Sequence, residues 1–553
     1  MARSPLAASP TWPQSFADDY RAKGYWQDET FAEFLSVRAE RFGPRLAAVG
    51  RSARTGEPVR LTYAELDDAA TAVAAHLAGL GLQAGDRVVL QLPNVIEYLT
   101  FLFGVFRLGA LPVFALPAHR EIELTQFCAV SDAAAHIVAG TGQGHDYLAL
   151  AGNVAARLRE SGVQPPLVVD VEQIDIEQID LTGAGRRAPQ AGSSAGEIAF
   201  LQLSGGTTGV SKLIPRTHAD YLYSVRASAE ICDVTPDTVM LVTLPAAHNF
   251  AMSSPGLLGV LHAGGTVVLA PDPSPATALA LIESERVTMT ALVPPLLLAW
   301  LPTAKRGRHD LSSLEVVQVG GAKLPDSVAP RVPTDLGARL QQVFGMAEGL
   351  VNYTRRDDSP ELVGTTQGRP ISPDDEIRVV DERDVDVPTG EEGMLLTRGP
   401  YTIRGYYRAD EHNADAFTPD GFYRTGDLVR QLPSGHLIVT GRAKEQINRG
   451  GDKIAVAEVE DHLLTHPAVH DAAVIPIPDQ YLGERSCAFI LSAHPPAADQ
   501  LREHLRAAGL AAYKIPDRFE FVDHFPTSPV GKISRRDLRT ALAASLAAPS
   551  PTA

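Results

Sequence analysis

Short apolar runs that alternate with helical patterns limit the fold of this chain more than any other feature of its sequence. Thr62 and Glu65 have the spacing of a capping box, and apolar residues recur at helical spacing from Leu66 to Leu77. Runs typical of buried strands follow at 88–92, 111–116, 135–138 and 167–171, with helical stretches between them. This alternation predicts an α/β architecture with buried sheets.

The 553 residues are several times the usual length of a domain, so we expect at least two lobes. A polar run at 180–197 predicts an exposed loop, after which strand-like runs resume at 198–203, 266–270, 288–292 and 316–319. From about Glu376 shorter strands at 376–380 and 394–397 predict a β-rich subdomain. The segment 441–452 is dense in charge and glycine and precedes a compact pattern with a helix from Val456. The main domain boundary is therefore predicted in that segment.

Composition excludes several classes of protein. A formal net charge of -17 disfavours a nucleic-acid binder, because affinity for the phosphate backbone comes from clustered lysine and arginine. The uncharged stretch 238–271 is interrupted by proline, asparagine and glycine, which favours buried strands and turns over a membrane-spanning helix. Three widely spaced cysteines indicate neither a zinc site nor a disulfide framework, and we therefore expect a cytoplasmic protein.

A glycine- and hydroxyl-rich loop at 204–209 directly follows an apolar strand. Its glycines allow backbone N–H groups to face a phosphate, its hydroxyls add donors, and Lys212 supplies a positive charge nearby. A P-loop ATPase is excluded by residue order, because Ser211 precedes Lys212 instead of following it. Taken alone, the loop fits either a polyphosphate site or a plain polar surface loop. Its residues are Ser204, Gly205, Gly206, Thr207, Thr208 and Gly209.

The segment LSGGTTGVSKLIPRTH at 203–218 resembles the phosphate-loop signature of the adenylate-forming superfamily, which includes acyl-CoA synthetases, peptide-synthetase adenylation domains and luciferases. Further motifs occur in that family's order along essentially the whole chain: LTYAEL at Leu61, FGMAEG at Phe344, YRTGDLV at Tyr423, GRAKEQINRGGDKI at Gly441 and PVGKISR at Pro529. Within this superfamily the segment HNFAMSSP at 248–255 resembles that of the stand-alone aryl-acid ligases of siderophore synthesis, which include 2,3-dihydroxybenzoate-AMP ligases. The resemblance implies an enzyme that uses ATP and Mg²⁺.

The resemblance assigns residues to a nucleotide site. It implies that Glu348 holds Mg²⁺ beside the ATP phosphates with Thr208 as a hydroxyl partner, and oxygen ligands suit that ion. Asp427 resembles the aspartate that accepts hydrogen bonds from the ribose, and Arg442 the arginine that supports the same sugar. The adenine is expected to lie against a group of backbone and ring positions: Gly321, Ala322, Phe344 and Gly345.

Two lysines and a histidine receive catalytic roles from the resemblance. Lys532 matches the mobile lysine that bridges the substrate carboxylate and the α-phosphate, where it offsets accumulating negative charge. Lys212 of the phosphate loop and His248, at the entrance for the incoming thiol, complete the predicted catalytic set together with Glu348.

The resemblance also implies a division of the chain. A large N-terminal domain of α/β subdomains plus a β-rich subdomain covers residues 1–441 and carries the acyl and ATP sites. A hinge at 442–445 contains Lys444, and hinge positions absorb backbone rotation. A small mobile α+β C-terminal domain covers 446–542, and a flexible tail is expected at 543–553.

The segment HNFAMSSP at 248–255 lies where the family forms its acyl pocket. The asparagine matching Asn249 hydrogen-bonds the ring hydroxyl ortho to the carboxylate, and Phe250 is expected to pack on the ring. The residues matching Ser254 and Val351 tend to be serine and valine in dihydroxybenzoate enzymes, and cysteine and leucine in salicylate enzymes. Two further positions, Gly320 and Val343, are assigned to the same pocket.

These residues predict 2,3-dihydroxybenzoate, or salicylate, as the acid. Another hydroxylated aryl acid, such as 3-hydroxypicolinate or 3-hydroxyanthranilate, remains an alternative because each keeps an ortho-like hydroxyl. The chain ends soon after Lys532, so the expected acceptor is the phosphopantetheine thiol of a separate aryl carrier protein. Coenzyme A, and hence an aryl-CoA ligase, is the alternative. A catalytically inactive relative that only binds nucleotide or acid is disfavoured by the intact Lys532, Glu348, Asp427 and Lys212.

Overall fold

A computed structural model of the protein describes residues 9–140, 144–175, 194–204, 211–443, 445–449, 452–479, 481–508, 510–528 and 531–547. The helices are α1 (Gln14–Ala22), α2 (Phe31–Phe42), α3 (Tyr63–Gly79), α4 (Ile96–Leu108), α5 (Glu121–Ser131), α6 (Tyr147–Glu160), α7 (His218–Ile231), α8 (Asn249–Ser253), α9 (Gly256–Ala263), α10 (Pro275–Glu285), α11 (Pro294–Ala304), α12 (Pro360–Thr365), α13 (Asp410–Ala416), α14 (Val456–Leu463), α15 (Ala498–Ala507) and α16 (Arg535–Ala547). The strands are β1 (Leu46–Arg51), β2 (Pro58–Thr62), β3 (Arg87–Gln91), β4 (Leu111–Phe114), β5 (Ala135–Val138), β6 (Leu167–Asp170), β7 (Ile198–Leu203), β8 (Leu213–Thr217), β9 (Val239–Val242), β10 (Thr266–Leu269), β11 (Met289–Leu292), β12 (Val316–Gly320), β13 (Arg339–Gly345), β14 (Val351–Tyr353), β15 (Arg369–Pro370), β16 (Glu376–Val380), β17 (Glu392–Arg398), β18 (Tyr423–Gln431), β19 (Leu437–Arg442), β20 (Ile447–Arg449), β21 (Asp452–Ile454), β22 (Asp471–Asp479), β23 (Gly483–Leu491) and β24 (Arg518–Val522).

Two largely parallel sheets form the first part of the molecule, as the alternating pattern predicts. A six-stranded sheet has the order β6-β5-β3-β4-β7-β8, and a nine-stranded sheet has the order β15-β14-β13-β12-β11-β9-β10-β1-β2. The antiparallel partners β8, β2, β14 and β15 lie at the edges. Every residue of β3, β4 and β5 is buried, because parallel strands are covered on both faces. The predicted α/β fold class is confirmed.

Helix α4 joins the two sheets through a shared core. All of its residues except Leu108 are buried, and it packs against α3 as well as against β4 of one sheet and β1 of the other. Its residues are mostly apolar, as is typical of a helix that is buried on all sides. The capping box predicted at Thr62 is present at the start of α3, where the Thr62 side chain accepts from the Glu65 N–H and Glu65 accepts from the Thr62 N–H.

The prediction of strands and turns alone for 238–271 was wrong in its middle. Strands β9 and β10 occupy the two ends, but α8 and α9 lie between them. Both helices are almost entirely buried, and apolar periodicity does not distinguish a short buried helix from a buried strand. None of the helices in the described ranges is long and apolar enough to cross a membrane.

The remaining sheets match the predicted change of pattern. Strands β16, β17, β18 and β19 form a four-stranded antiparallel sheet, which is the predicted β-rich subdomain. From β20 onward the chain forms its own sheet of order β21-β20-β23-β22, with β24 parallel to β23, and α14 and α15 pack on its core. Helix α16 continues to Ala547, into the segment for which a flexible tail is predicted, and most of the predicted loop at 180–197 lies outside the described residues.

Candidate active site

The predicted phosphate loop lies between the two strands of an antiparallel hairpin. Strands β7 and β8 pair as far as Leu203 and Leu213, and the Ser204 N–H donates to the Lys212 carbonyl over 2.9 Å. The Lys212 N–H donates to the Ser204 hydroxyl, also over 2.9 Å, so the two ends of the loop are fixed together. The remaining predicted loop residues lie outside the described residues: Gly205, Gly206, Thr207, Thr208 and Gly209.

Two neighbouring parallel strands bring further predicted residues to one edge of the large sheet. Strand β12 ends at Gly320 opposite Val343 of β13, so the segments after both strands leave the sheet at the same edge. Ligands of open α/β sheets bind at the carboxyl ends of such strands. Gly321 has a φ of +81°, in the region that favours glycine, and Ala322 follows it. Phe344 and Gly345 continue β13 and are partly buried and exposed, respectively.

Glu348 lies in the turn between β13 and β14 and is buried. Its Oε1 accepts a hydrogen bond of 2.8 Å from the Tyr406 hydroxyl, which lies 2.9 Å from the Tyr423 hydroxyl. Burial raises the pKa of Glu348, while the Tyr406 hydrogen bond opposes that shift. Lys212 Nζ lies 6.0 Å from the centre of the Tyr406 ring. Tyr406 thus joins the lysine of the phosphate loop to the predicted metal ligand, a link that no predicted motif indicated.

Asp427 and Arg442 face each other on neighbouring strands. Asp427 of β18 pairs with Arg442 of β19, and the Arg442 Nε donates to the Asp427 carboxylate over 2.9 Å. The aspartate side chain is 7% exposed and the arginine 46%, so the carboxylate is enclosed while the guanidinium reaches solvent. Burial raises the pKa of Asp427 and the arginine charge opposes the shift. The structure brings together the two residues predicted at the ribose.

Lys532 extends from the C-terminal part of the chain into the edge of the large sheet. Its Cε would lie 3.1 Å from a Cβ placed on Gly321. Burial and the Arg442 charge lower the pKa of Lys532 to about 8, against the opposing effect of Asp427 and Glu445. The loop is held at its base by hydrogen bonds between Ser528 and Lys532, while residues 529–530 lie outside the described part of the chain.

An ion pair connects the segment after β12 to helix α14, and further ion pairs lie within the C-terminal part and the predicted hinge. Lys323, which follows Ala322, lies 3.1 Å from Asp461 of α14, and burial raises the pKa of Asp461 to about 6. Arg535 of α16 lies 3.5 Å from Glu445 and 2.8 Å from Glu460. Sequence motifs did not indicate these partners. The predicted hinge residue Lys444 lies outside the described residues.

His248 is the N-cap of α8, and its Nδ1 accepts the Phe250 N–H over 3.3 Å. Burial, followed by the charge of Lys532, lowers the pKa of His248 to about 3. The imidazole is therefore neutral near pH 7, and because Nδ1 is an acceptor its proton resides on Nε2. His248 and Lys532 lie near each other, as the predicted site requires.

Asn249 is oriented by a chain of hydrogen bonds. Gln202 Nε2 donates to the Tyr221 hydroxyl over 3.0 Å, and that hydroxyl donates to Asn249 Oδ1 over 2.7 Å. A tyrosine hydroxyl has one proton, so with Gln202 as its donor its proton goes to Asn249. The Asn249 oxygen is thereby engaged, and its NH₂ group remains as the donor for a ligand oxygen. Gln202 and Tyr221 were not predicted, because neither belongs to a motif that marks an acid pocket.

The other predicted pocket residues fall into two adjacent groups. A Cβ on Gly320 would lie 3.1 Å from the tip of the Phe250 ring and 3.1 Å from the Val343 Cβ, so these three positions are in contact. Gly345 lies against Val351, which starts β14. Ser254 is buried at the end of α8, near the Tyr353 hydroxyl of β14. A glycine at 320 leaves space that any larger side chain would fill.

Comparison with known proteins identifies relatives over nearly the full length. The model of the AMP-binding enzyme family matches residues 35–407, and that of the AMP-binding enzyme C-terminal domain matches residues 458–532. A 2,3-dihydroxybenzoate-AMP ligase from Bacillus subtilis is 54% identical over 97% of this chain and 98% of that protein. A vibriobactin-specific 2,3-dihydroxybenzoate-AMP ligase from Vibrio cholerae is 52% identical over 96% of each chain.

A solved structure has the same fold. The apo structure of Mycobacterium smegmatis MbtA is 44% identical, covers 96% of this chain and 98% of its own, and superposes with a TM-score of 0.71. Family models, relatives and fold agree with the motifs and with the convergence of Glu348, Asp427 and Lys532. The chain belongs to the family of AMP-binding enzymes.

Proposed function

We propose that this enzyme activates 2,3-dihydroxybenzoate, or salicylate, with ATP as an aryl adenylate, and then transfers the aryl group to the phosphopantetheine thiol of a separate aryl carrier protein. The observation that carries the proposal is the oriented amide of Asn249. Its NH₂ group is left to donate beside Phe250, as recognition of a ring hydroxyl requires. The relatives named as 2,3-dihydroxybenzoate-AMP ligases support the choice of acid, as do Ser254 and Val351.

The proposed reaction has two steps at one site. In the first, a carboxylate oxygen of the acid bonds to the α-phosphorus of ATP, the bond from that phosphorus to the bridging oxygen breaks, and pyrophosphate leaves. Lys532 offsets the charge that accumulates between carboxylate and phosphate, and its buried position strengthens this effect. In the second, the thiolate of the carrier bonds to the carbonyl carbon, the C–O bond breaks, and AMP leaves. In this step we assign the neutral His248 to the entrance for the thiol.

Glu348 fits the proposed Mg²⁺ site. No group of three or more histidine, cysteine, aspartate or glutamate side chains in the described ranges would hold a metal by itself. A single buried carboxylate suits an ion that takes most of its oxygen ligands from nucleotide phosphates and water. Glu348, with Thr208, would hold Mg²⁺, which would neutralise charge on the phosphates during transfer.

Replacing Asp427 with asparagine should raise the KM for ATP by about 10- to 100-fold, because a charged acceptor for the ribose hydroxyls is lost. The KM for the acid should stay within about twofold. Pyrophosphate exchange at varied ATP checks this expectation, with Asp386→Asn as a control at an exposed ion pair of the same subdomain. An unchanged KM for ATP in Asp427→Asn contradicts the ribose assignment.

Adenylation should slow as pH rises through about 8. Only the protonated ammonium of Lys532 offsets the charge of the transition state, and the pKa of Lys532 in the free enzyme is lowered to about 8. The value of kcat/KM should therefore be constant below that pH and fall about tenfold per pH unit above it. The alkaline fall should be absent in Lys532→Arg, whose guanidinium stays charged. An identical alkaline fall in that variant rules out Lys532 as its source.

The acceptor is tested by product analysis with matched amounts of coenzyme A and an aryl carrier protein bearing phosphopantetheine. We expect the aryl thioester of the carrier protein to form faster. Rapid formation of aryl-CoA at the expense of the carrier thioester would make the enzyme an aryl-CoA ligase.

A further inference from the structure

The turn that carries Glu348 also leads into Val351. One short segment therefore positions both the predicted Mg²⁺ ligand and a residue of the predicted acid pocket. The backbone of this segment is strained at Leu350, which has a φ of +67°, whereas the φ of +120° at Gly349 is open to glycine. A non-glycine residue in this region is uncommon and persists only where its surroundings fix it. The contacts that fix this turn therefore determine the positions of both residues.

The backbone segment 399–403 lies against the turn, which the side chains of Arg216 and Tyr406 also contact. The Ile403 N–H donates to the Glu348 carbonyl over 2.8 Å, and the Tyr401 hydroxyl accepts the Val351 N–H over 3.0 Å. The backbone contact is close, since a Cβ on Gly349 would lie 2.4 Å from the Tyr401 carbonyl oxygen. Within this segment, Glu348 is thus held through its backbone carbonyl, in addition to the Tyr406 bond to its side chain, whereas Val351 is held through the Tyr401 hydroxyl.

The backbone hydrogen bonds between β13 and β14 do not use the Val351 N–H, which donates to the Tyr401 hydroxyl instead. The Met346 N–H donates to the Leu350 carbonyl over 3.2 Å, and successive residues of an antiparallel ladder turn alternately toward and away from the partner strand. Val351 pairs with Gly345 at the next position, so its N–H points away from β13. Without the Tyr401 hydroxyl, this donor would be buried and unpaired.

The Tyr401 hydroxyl is itself held in one orientation. It donates to Asp375 Oδ2 over 2.6 Å, which leaves its lone pair facing Val351. Burial raises the pKa of Tyr401 well above its usual value, so the hydroxyl keeps its proton. The Tyr401 side chain is 1% exposed, and its carbonyl accepts from Arg216 over 3.0 Å.

We propose that Tyr401 is a positioning residue that determines acid specificity by holding Val351 at the wall of the acid pocket. This inference rests on the proposed function, in which Val351 belongs to the acid pocket. A side chain whose support is loosened selects less well between substrates of similar shape. Asp375 acts one step further away, by orienting the Tyr401 hydroxyl.

The test compares Tyr401→Phe with Tyr63→Phe. The Tyr63 hydroxyl is equally buried but bonds to the carbonyls of Leu261 and Gly265, away from the site. In Tyr401→Phe we expect the KM for 2,3-dihydroxybenzoate to rise about tenfold and its kcat/KM preference over salicylate to fall by a similar factor. The KM for ATP should change less than about twofold, because Glu348 keeps its own backbone bond. The control should leave all three unchanged.

A second readout does not depend on the substrate. Amide hydrogen exchange at Val351 in the free enzyme should be faster in Tyr401→Phe than in wild type or Tyr63→Phe. If the wild type exchanges pyrophosphate with aryl acids but Tyr401→Phe keeps its acid KM, its preference and the protection of Val351, the inference is wrong. If the wild type activates no aryl acid, the proposed function fails, and Val351 exchange alone decides the positioning role. Should Tyr401→Phe not fold, Asp375→Asn is measured in its place and should change in the same direction to a smaller extent.

Discussion

Replacing Lys532 with alanine should lower the rate of adenylate formation by roughly 10²- to 10³-fold or more. The Lys532 ammonium interacts electrostatically with Arg442 and Asp427, the two residues predicted at the ribose. Its side chain lies next to Gly321, which follows β12. Arg442, the cation next to Lys532, is paired with Asp427, so we expect that it does not replace the lost charge. Pyrophosphate exchange with saturating acid and ATP measures the effect.

The variant should still use a supplied aryl adenylate. Thioester formation does not require the charge that promotes attack on phosphorus, so transfer from added aryl-AMP to the carrier thiol should change less than about threefold. Lys514→Ala is a matched control, because Lys514 lies in the same C-terminal part and pairs with Glu458 over 2.6 Å. Equal loss of both half-reactions in Lys532→Ala, or loss in neither, contradicts the proposed role.

An acid without the ortho hydroxyl should be activated less efficiently by a factor that approaches ~10⁴, because the Asn249 amide would then be buried without its partner. The kcat/KM for 2,3-dihydroxybenzoate divided by that for benzoate measures this factor. In Asn249→Ala most of the discrimination should disappear, through a loss of activity with the hydroxylated acid.

The Tyr221→Phe variant tests the orientation of the Asn249 amide separately from its contact with the ring hydroxyl. It leaves Asn249 in place but removes the hydroxyl that engages Oδ1, so the discrimination should fall to an intermediate value. Benzoate activated as well as the hydroxylated acid by wild type would contradict hydroxyl recognition by Asn249. If wild type and Asn249→Ala discriminate equally between 2,3-dihydroxybenzoate and benzoate, a residue other than Asn249 recognises the hydroxyl.

The sequence predicted the framework of the molecule closely where local physics decides the structure. Strand β5 and strand β16 have the predicted bounds. The capping box at Thr62 starts α3 as predicted, because its two hydrogen bonds involve residues three apart. The helices α8 and α9 were missed, because burial on all sides removes the periodicity that identifies a helix.

The candidate site was predicted through motifs, and its supporting contacts were not. Asp427 with Arg442, and Gly320 with Phe250 and Val343, come together as expected from the resemblance. Tyr406 and Tyr401 escaped prediction because their roles depend on contacts between residues about 50 positions or more apart. Such contacts follow from the tertiary fold, and no local pattern of residues encodes them.

Pyrophosphate exchange by the wild-type enzyme across a panel of aryl acids tests the central claim most directly. The panel should contain 2,3-dihydroxybenzoate, salicylate, 3-hydroxypicolinate, 3-hydroxyanthranilate and benzoate, each with ATP and Mg²⁺. We predict exchange with the ortho-hydroxylated acids, highest for 2,3-dihydroxybenzoate, and almost none with benzoate. The absence of exchange with every ortho-hydroxylated acid would contradict the account.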